Sequence, residues 1–591
     1  MGILCLNCCQ TNKTNNSIQE ALSNTDYSER NKDSNRELKA NMNEVTKINK
    51  NTNDNSDDEF KDYNSSDHIK PFIKSTNDFK TYQIDDQIPI KSQFFVNQNM
   101  SNPAESYERV AYLGEGGFSQ VLKVKHKQTG GLRAMKVIKK NTHKKEDETS
   151  IYDEVNILKT LDHPNIMKIY EFFQDNVNWY LITEYCEYGN LFENFKDIDN
   201  KTNPFFTEGV ICCIMKQLFS AITFLHAQNI IHGDLKLENI LIDNFNLINK
   251  FSSKSKVNST IVDIKLIDFG SSRFFRKKYI VSDTINGTIN YVAPEAIHGV
   301  LDKKNDIWSC GIIMYLLLSG DFPFFGESDE HTLELIEKGA YQIDTNNAFK
   351  NISIEAKDLI KQLLVLDHSK RIDAKTALKH KWFKLKLEVD EIDKNYKVEI
   401  MNNIKHFKTE HKFQEAVFTY ITHNLIAKDE IEILRKVFQQ LDEDGNGRIS
   451  KEELQKGFKH IIGSVLGDLE IQTLMKNIDN DNNGFIEYEE FLKAALGNNS
   501  LLTNENLLQA FNKFDIDKNG TISTDEIRNI IGGDKGIDDE NFKAFLTEID
   551  LKEGDTMGLD QFRYLMKKVQ RSHTCHNLER VSKTKVTSYK N

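Results

Sequence analysis

The chain has 591 residues, a formal net charge of −12 and 28 % charged side chains. That length exceeds what one hydrophobic core organises, so two or more domains are expected, and the acid excess argues against nucleic acid as a main partner. The longest unbroken apolar run, Ile312 to Leu318, is short of the roughly 20 residues a spanning helix needs, no secretory leader is legible, and the eight cysteines (Cys5, Cys8, Cys9, Cys186, Cys212, Cys213, Cys310, Cys575) show no disulfide framework, which points to a reducing, cytoplasmic setting.

The first residues, Met1-Gly2-Ile3-Leu4-Cys5-Leu6-Asn7-Cys8-Cys9, read as an acylation signal. Removal of Met1 exposes Gly2 for a myristoyl chain. One such chain holds a bilayer only marginally, and Cys5, Cys8 and Cys9 offer thiols for palmitoylation as the second anchor. Leu6 departs from the Ser or Thr the motif prefers, and the alternative is a free start with incidental cysteines or a small cysteine metal site. Residues 1–102 are rich in Asn, Asp, Ser and Lys with no sustained apolar period, so they are expected to be a disordered tether, with Phe94-Phe95-Val96 as one short apolar island able to dock.

Residues 107–383 carry a series of motifs in a fixed order. Leu113-Gly114-Glu115-Gly116-Gly117-Phe118-Ser119-Gln120-Val121 is a glycine-rich turn between two alternating segments. Its glycines let backbone amides approach phosphate without a Cβ in the way. Ala134-Met135-Lys136 follows on a β-type run, and Glu154 lies on a helical stripe with Val155 and Leu158. Thr183-Glu184-Tyr185-Cys186 ends an apolar strand. Next comes Ile231-His232-Gly233-Asp234-Leu235-Lys236-Leu237-Glu238-Asn239, then Asp268-Phe269-Gly270 and Ala293-Pro294-Glu295. Phosphoryl transfer requires a carboxylate to receive the proton of the attacking hydroxyl and oxygen ligands to hold Mg²⁺ against the phosphates, and Asp234, Asn239 and Asp268 supply that chemistry. This region resembles the eukaryotic protein kinases.

The resemblance implies an α+β bilobal fold that transfers phosphate to protein Ser or Thr, with Asp234 as base and Lys236 on the γ-phosphate. Lys136, paired with Glu154, would hold the α- and β-phosphates, and Asn239 and Asp268 would hold Mg²⁺. The glycine turn, Val121, Ala134, Thr183, Glu184 and Cys186 would enclose ATP. Asn190 and Glu238 bear on whether a basic peptide is preferred, and Glu295, Arg371 and Asp306 match scaffold positions. Gly233 stands where the family carries an arginine that pairs with a phosphorylated activation loop. Activation without phosphorylation of Ser282, Thr284 or Thr288 is therefore expected. Replacing all three by alanine should leave most peptide-kinase activity, and loss of more than about 90 % would contradict it. Residues 243–261 form a Ser/Asn/Lys-rich insertion, expected to be a solvated loop.

Residues 384–428 join the two halves. Ile404, Phe407, Phe413, Val417, Tyr420 and Ile421 make one apolar face beside Lys405, Lys408 and Lys412, which predicts a basic amphipathic helix of the kind that calmodulin-like modules grip. Packing on the kinase lobe is the alternative. Beyond it, residues 429–568 repeat an apolar stripe four times, before Asp442, Asp479, Asp515 and Asp550. Three of the following loops place oxygen ligands with EF-hand spacing: Asp442, Asp444, Asn446, Arg448 (through its carbonyl) and Glu453; Asp479, Asp481, Asn483, Phe485 (carbonyl) and Glu490; Asp515, Asp517, Asn519, Thr521 (carbonyl) and Glu526. The fourth has Lys552 at position 3 and Gln561 at position 12, so three Ca²⁺ ions are expected, with Met557 pairing against Ile522 in a structural fourth hand. The tail, 569–591, is basic and read as flexible.

A kinase domain, a junction helix and an all-α calmodulin-like domain of four EF-hands together resemble the calcium-dependent protein kinases of plants and protists. That implies a Ser/Thr kinase held inactive by its junction helix, which the Ca²⁺-loaded hands sequester or reposition; a monomer is expected, with the acylation signal setting it on a membrane. The rival reading is a membrane-tethered Ca²⁺ sensor and scaffold with an inactive kinase fold.

Overall fold

The computed structural model describes residues 91–568, apart from 97, 117–118, 141–144, 197–205, 253–254, 276–279, 282–287, 385–391, 410 and 532–536. Gly2, Cys5, Cys8, Cys9, Gly117, Phe118, Ser282, Thr284 and the basic tail lie outside the described residues.

Six strands form one sheet in the order β1-β5-β6-β4-β3-β2: β1 (Gln98–Asn99), β2 (Tyr107–Gly116), β3 (Ser119–His126), β4 (Leu132–Lys139), β5 (Ile169–Gln174) and β6 (Asn178–Glu184). Each neighbouring pair among β2 to β6 is antiparallel, and β1 adds in parallel to β5 through Gln98↔Phe172 and Asn99↔Phe173. The Lys145–Thr160 helix lies on this sheet with Ile151, Val155, Ile157 and Leu158 buried, as its apolar spacing requires. The register Val121↔Lys136 and Lys136↔Leu181 sets Lys136 in the centre of the sheet.

The helical lobe is organised by two long buried helices. Glu208–Ala227 starts on Thr207, whose hydroxyl accepts from the Val210 amide. It is long and apolar enough to cross a membrane by composition alone, but 72 % of that window is buried in the protein core. Lys303–Ser319 starts in a capping box between Asp302 and Asn305 and stops at Gly320, whose φ of 86° a glycine adopts without Cβ strain. Arg371 is buried beneath this lobe. Its fork donates to Glu295 Oε1 at 2.6 Å and Oε2 at 3.0 Å, and its Nε to the Val365 carbonyl at 3.0 Å. Removing one partner of such a pair strands a buried charge, so Arg371→Met is expected to cost about 3–5 kcal/mol. A fall in the thermal midpoint of the kinase domain is the measurement.

Three features differ from the sequence reading. Residues 243–261 are not a solvated loop but part of a two-stranded ribbon, Ile240–Ser252 against Ser255–Leu266, in register from Ile240↔Leu266 to Ser252↔Ser255. Its base is anchored because Ile240, Ile242, Val262, Ile264 and Leu266 are buried, and pairing then extends outward through a run whose Ser and Asn content hid the strand. The junction is not one helix but two, Lys394–His406 and Lys412–Asn424. Both pack on the Tyr488–Leu501 helix, and the second reaches further into hands three and four. Asn403 Nδ2 of the first donates to the Ala495 carbonyl at 2.9 Å, whereas Phe413 of the second sits 5.3, 6.2 and 5.9 Å from the rings of Phe514, Phe545 and Phe562. Finally, residues 91–102 of the segment expected to be disordered are built into the fold. Phe95 packs against Tyr420 and Phe514 at 5.6 and 6.3 Å, Val96 enters the kinase core, and Lys91 reaches the second EF-hand loop.

Candidate functional site

Lys136 is the hub of the nucleotide cleft. Its ammonium lies 3.2 Å from Glu154 Oε1 and 3.3 Å from Asp268 Oδ1, joining sheet, helix and the Asp-Phe-Gly segment. Burial disfavours its charge, but the Glu154 and Asp268 carboxylates outweigh burial and hold its pKa above the ordinary lysine value. Burial lifts the Glu154 carboxyl, with Lys136 opposing. For Asp268 burial works upward too, yet Lys136 prevails and the carboxyl is held below its usual range. Asp268 itself adopts φ 65°, a left-handed conformation sustained by the buried Phe269, whose ring lies 5.0 Å from His232.

The catalytic loop hangs from one buried carboxylate. Asp306, in the first turn of Lys303–Ser319, accepts from the His232 amide at 3.0 Å (Oδ2) and the Gly233 amide at 3.0 Å (Oδ1), and contacts His226 Nε2 at 2.8 Å. Burial raises its pKa, but the His226 contact and the amides prevail and lower it. Gly233 sits at φ 81°, where a Cβ would come 3.1 Å from the Ser271 carbonyl. Asp234 then presents its carboxylate to Lys236 Nζ at 2.7 Å and Asn239 Nδ2 at 3.1 Å. Asn239 Nδ2 also donates to the Asp234 carbonyl at 2.8 Å, which turns its amide oxygen away from the loop. That oxygen and the Asp268 carboxylate are hard donors of the kind Mg²⁺ takes, so the residues fit the ion.

The other residues expected around the nucleotide fall on neighbouring strands of the same sheet. Leu113, Gly114, Glu115 and Gly116 lie on β2, Ser119 and Val121 on β3, Ala134 on β4 opposite Thr183 of β6, and Cys186 just beyond it. The Glu184 side chain does not face that cleft: it accepts from the Lys168 amide at 2.8 Å and pairs with Lys265 at 2.9 Å.

In the EF-hand region each of three loops folds around its first aspartate. Asp442 accepts from the Asn446 and Gly447 amides at 3.0 and 2.8 Å, Asp479 from Asn483 and Gly484 at 3.1 and 2.9 Å, and Asp515 from Asn519 and Gly520 at 3.0 and 2.9 Å. The carboxylates of Asp442, Asp444 and Glu453, of Asp479, Asp481 and Glu490, and of Asp515, Asp517 and Glu526 each bring ligand oxygens within 4.8 Å of one another. Burial, then carboxylate repulsion, pushes Asp442 up to about 7 and Asp479 up to about 6. A divalent cation relieves that repulsion, so these donor sets fit Ca²⁺. Among the described residues, the fourth loop makes no such cluster. Its Lys552 amide donates to Asp555 at 2.8 Å instead, while Ile522↔Met557 pairs hands three and four as Ile449↔Ile486 pairs one and two.

The hands are docked on the kinase. Gly447 of the first loop abuts the His163 ring, Arg448 lies 5.4 Å from the Phe224 ring, and the Glu489 amide donates to Asp162 at 2.6 Å. His423 of the second junction helix meets the Ile169 carbonyl at 3.1 Å, and the Asn424 carbonyl accepts from Arg133 at 3.2 Å. Sequence reasoning missed Lys91, which bridges Asp481 (2.7 Å) and Glu487 (3.1 Å), and Arg435, whose fork holds Asp243 and Asp263. Both are lone cations whose partners lie far off in the chain.

Fold and site define a protein kinase domain joined to EF-hands. The protein kinase domain family matches residues 107–383, an EF-hand domain pair matches 431–496 and an EF-hand domain matches 506–550. The chain is 38 % identical over 479 residues to calcium-dependent protein kinase 4 of Plasmodium berghei (strain Anka), covering 79 % of this chain and 87 % of that one. It is 37 % identical over 482 residues to calcium-dependent protein kinase 4 of Plasmodium falciparum (isolate 3D7), with the same coverage, and 37 % over 461 residues to calcium-dependent protein kinase 3 of Plasmodium berghei, covering 77 % and 79 %. The chain belongs to the calcium-dependent protein kinase family.

Proposed function

We propose that this chain transfers the γ-phosphoryl group of ATP to Ser or Thr hydroxyls of proteins when its EF-hands hold Ca²⁺. The observation that carries this reading is the coincidence of two arrangements: Lys136, Glu154 and Asp268 are assembled, and both junction helices are gripped by the hands, the second also meeting β5 at the Ile169 carbonyl. Asp234 takes the proton of the attacking hydroxyl, with Lys236 and Asn239 fixing its carboxylate. Lys136 orients the α- and β-phosphates, and Asn239 and Asp268 are the residues that would hold Mg²⁺. When bound, Mg²⁺ neutralises charge on the phosphates. An inactive scaffold has no need of this assembled set.

Without Ca²⁺ the hands release the two junction helices, which are then free to obstruct the substrate cleft. Transfer of ³²P to a basic peptide at fixed Mg·ATP tests the whole reading: strong activity only with Ca²⁺ supports it, equal activity with and without Ca²⁺ removes the switch, and none in either removes the enzyme. The hands bind three Ca²⁺ ions, because the fourth loop lacks a bidentate carboxylate. Calorimetry of the full chain should show three sites, and four comparable sites would contradict this. Acyl chains on Gly2 and on Cys5, Cys8 or Cys9 would set the enzyme on a membrane surface, with the chain acting as a monomer.

A further inference from the structure

The ribbon that begins at Ile240 and ends at Leu266 connects the two residues fitted to Mg²⁺. Asn239 immediately precedes its first strand, Asp268 follows its second by two residues, and the Ile267 amide donates to the Asn239 carbonyl at 2.9 Å. The separation between Asn239 and Asp268 is therefore set by how tightly the base of the ribbon is closed.

That base carries two buried carboxylates, Asp243 on one strand and Asp263 on the other. Buried like charges repel unless a cation lies between them. The cation that bridges both comes from outside the kinase domain. Arg435, on the Lys428–Leu441 helix of the first EF-hand, is itself buried and donates from one nitrogen to Asp243 Oδ2 at 2.8 Å and from the other to Asp263 Oδ2 at 2.7 Å. A planar guanidinium suits this two-strand bridge. Lys428, on the same helix, adds a contact to Asp243 Oδ1 at 2.6 Å. Lys265, on the second strand of the ribbon, pairs with Glu184 at 2.9 Å and also draws on Asp243, so what distinguishes Arg435 is that it touches both carboxylates.

We propose that Arg435 is a positioning residue for phosphoryl transfer: by clamping Asp243 to Asp263 it closes the ribbon base and holds Asn239 and Asp268 at the spacing that Mg·ATP requires. This rests on the reading that the hands dock as seen here when loaded with Ca²⁺. A lost clamp leaves Asp243 and Asp263 facing each other, loosens the first register pairs and weakens the grip on the metal-nucleotide complex. Docking of the hands then acts on the catalytic cleft directly, besides removing the junction from it.

The test uses the full chain in saturating Ca²⁺ and reads binding of the Mg²⁺ complex of a non-hydrolysable ATP analogue by calorimetry, with KM for Mg·ATP and kcat alongside. Arg435→Met is expected to weaken analogue binding and raise KM by about 10-fold, as loss of a partner that orients metal ligands does, at a Ca²⁺ concentration that saturates every variant. The triple variant Arg435→Met/Asp243→Asn/Asp263→Asn removes the repulsion together with the clamp and is expected to return to within about threefold of the parent. Analogue binding by Arg435→Met within about twofold of the parent overturns the proposal, as does a triple variant no tighter than the single. Should Arg435→Met alone not fold, the triple variant decides: binding like the parent supports the clamp, and a roughly tenfold loss overturns it. Because binding is read without turnover, absence of Ca²⁺-dependent transfer in the parent would overturn the functional reading and leave this result separate.

Discussion

Asp234→Asn is expected to lower kcat for peptide phosphorylation by about 10³-fold while leaving the fold and Mg·ATP binding near their parent values. The asparagine retains the shape of the side chain and an oxygen that accepts from Lys236, and the Asn239 bond to the main-chain carbonyl of residue 234 does not involve the side chain at all. What disappears is the carboxylate proposed to take the hydroxyl proton. Single-turnover phosphorylation of a Ser peptide, with a thermal-shift titration of Mg·ATP as control, measures both halves of the expectation. A decrease smaller than about tenfold would mean that Asp234 orients the substrate without receiving its proton.

The second large effect is on Ca²⁺ control. Replacing Glu453 and Glu490 together by glutamine should raise the Ca²⁺ concentration for half-activation at least about 10-fold, since each change removes a bidentate anionic ligand. In the folded loops both oxygens of each glutamate are already turned inward. Glu453 accepts from the Asp444 amide at 3.2 Å and the Ser450 amide at 2.9 Å, and Glu490 from Asn480 at 2.8 Å and Glu487 at 3.0 Å. A glutamine NH₂ group would face one of those donors. Glu526→Gln should have the smaller effect, because it is the first hand that abuts His163 and Phe224 and the second that abuts Asp162. A Ca²⁺ titration of peptide-kinase activity gives the order, and equal shifts for all three hands would show that docking is not what Ca²⁺ sets.

The two kinds of site differ in how they are written into the chain. An EF-hand loop is local: position 1 accepts from positions 5 and 6, so its ligands can be counted off within a dozen residues. The catalytic loop is nearly as legible, since Asp234, Lys236 and Asn239 bond among themselves. The ribbon was concealed because a strand that gains its support from pairing can have a polar composition ordinarily typical of loops. The junction read as one helix because a continuous apolar period is consistent with either one helix or two. The break falls between His406 and Lys412, and Met401, Ile404, Phe413 and Val417 from both sides of it enter one core with the hands.

The kinase domain, the EF-hands and their three acidic loops are legible from residue types alone, because each depends on residue type at short, fixed spacing. Only the tertiary structure decided that the hands rest against the kinase lobe, that Lys91 ties the segment before the kinase to the second loop, and that Arg435 reaches Asp243 and Asp263. Arg435 stands 192 and 172 residues from those partners, and attraction between charges brought together by folding leaves no period along the chain.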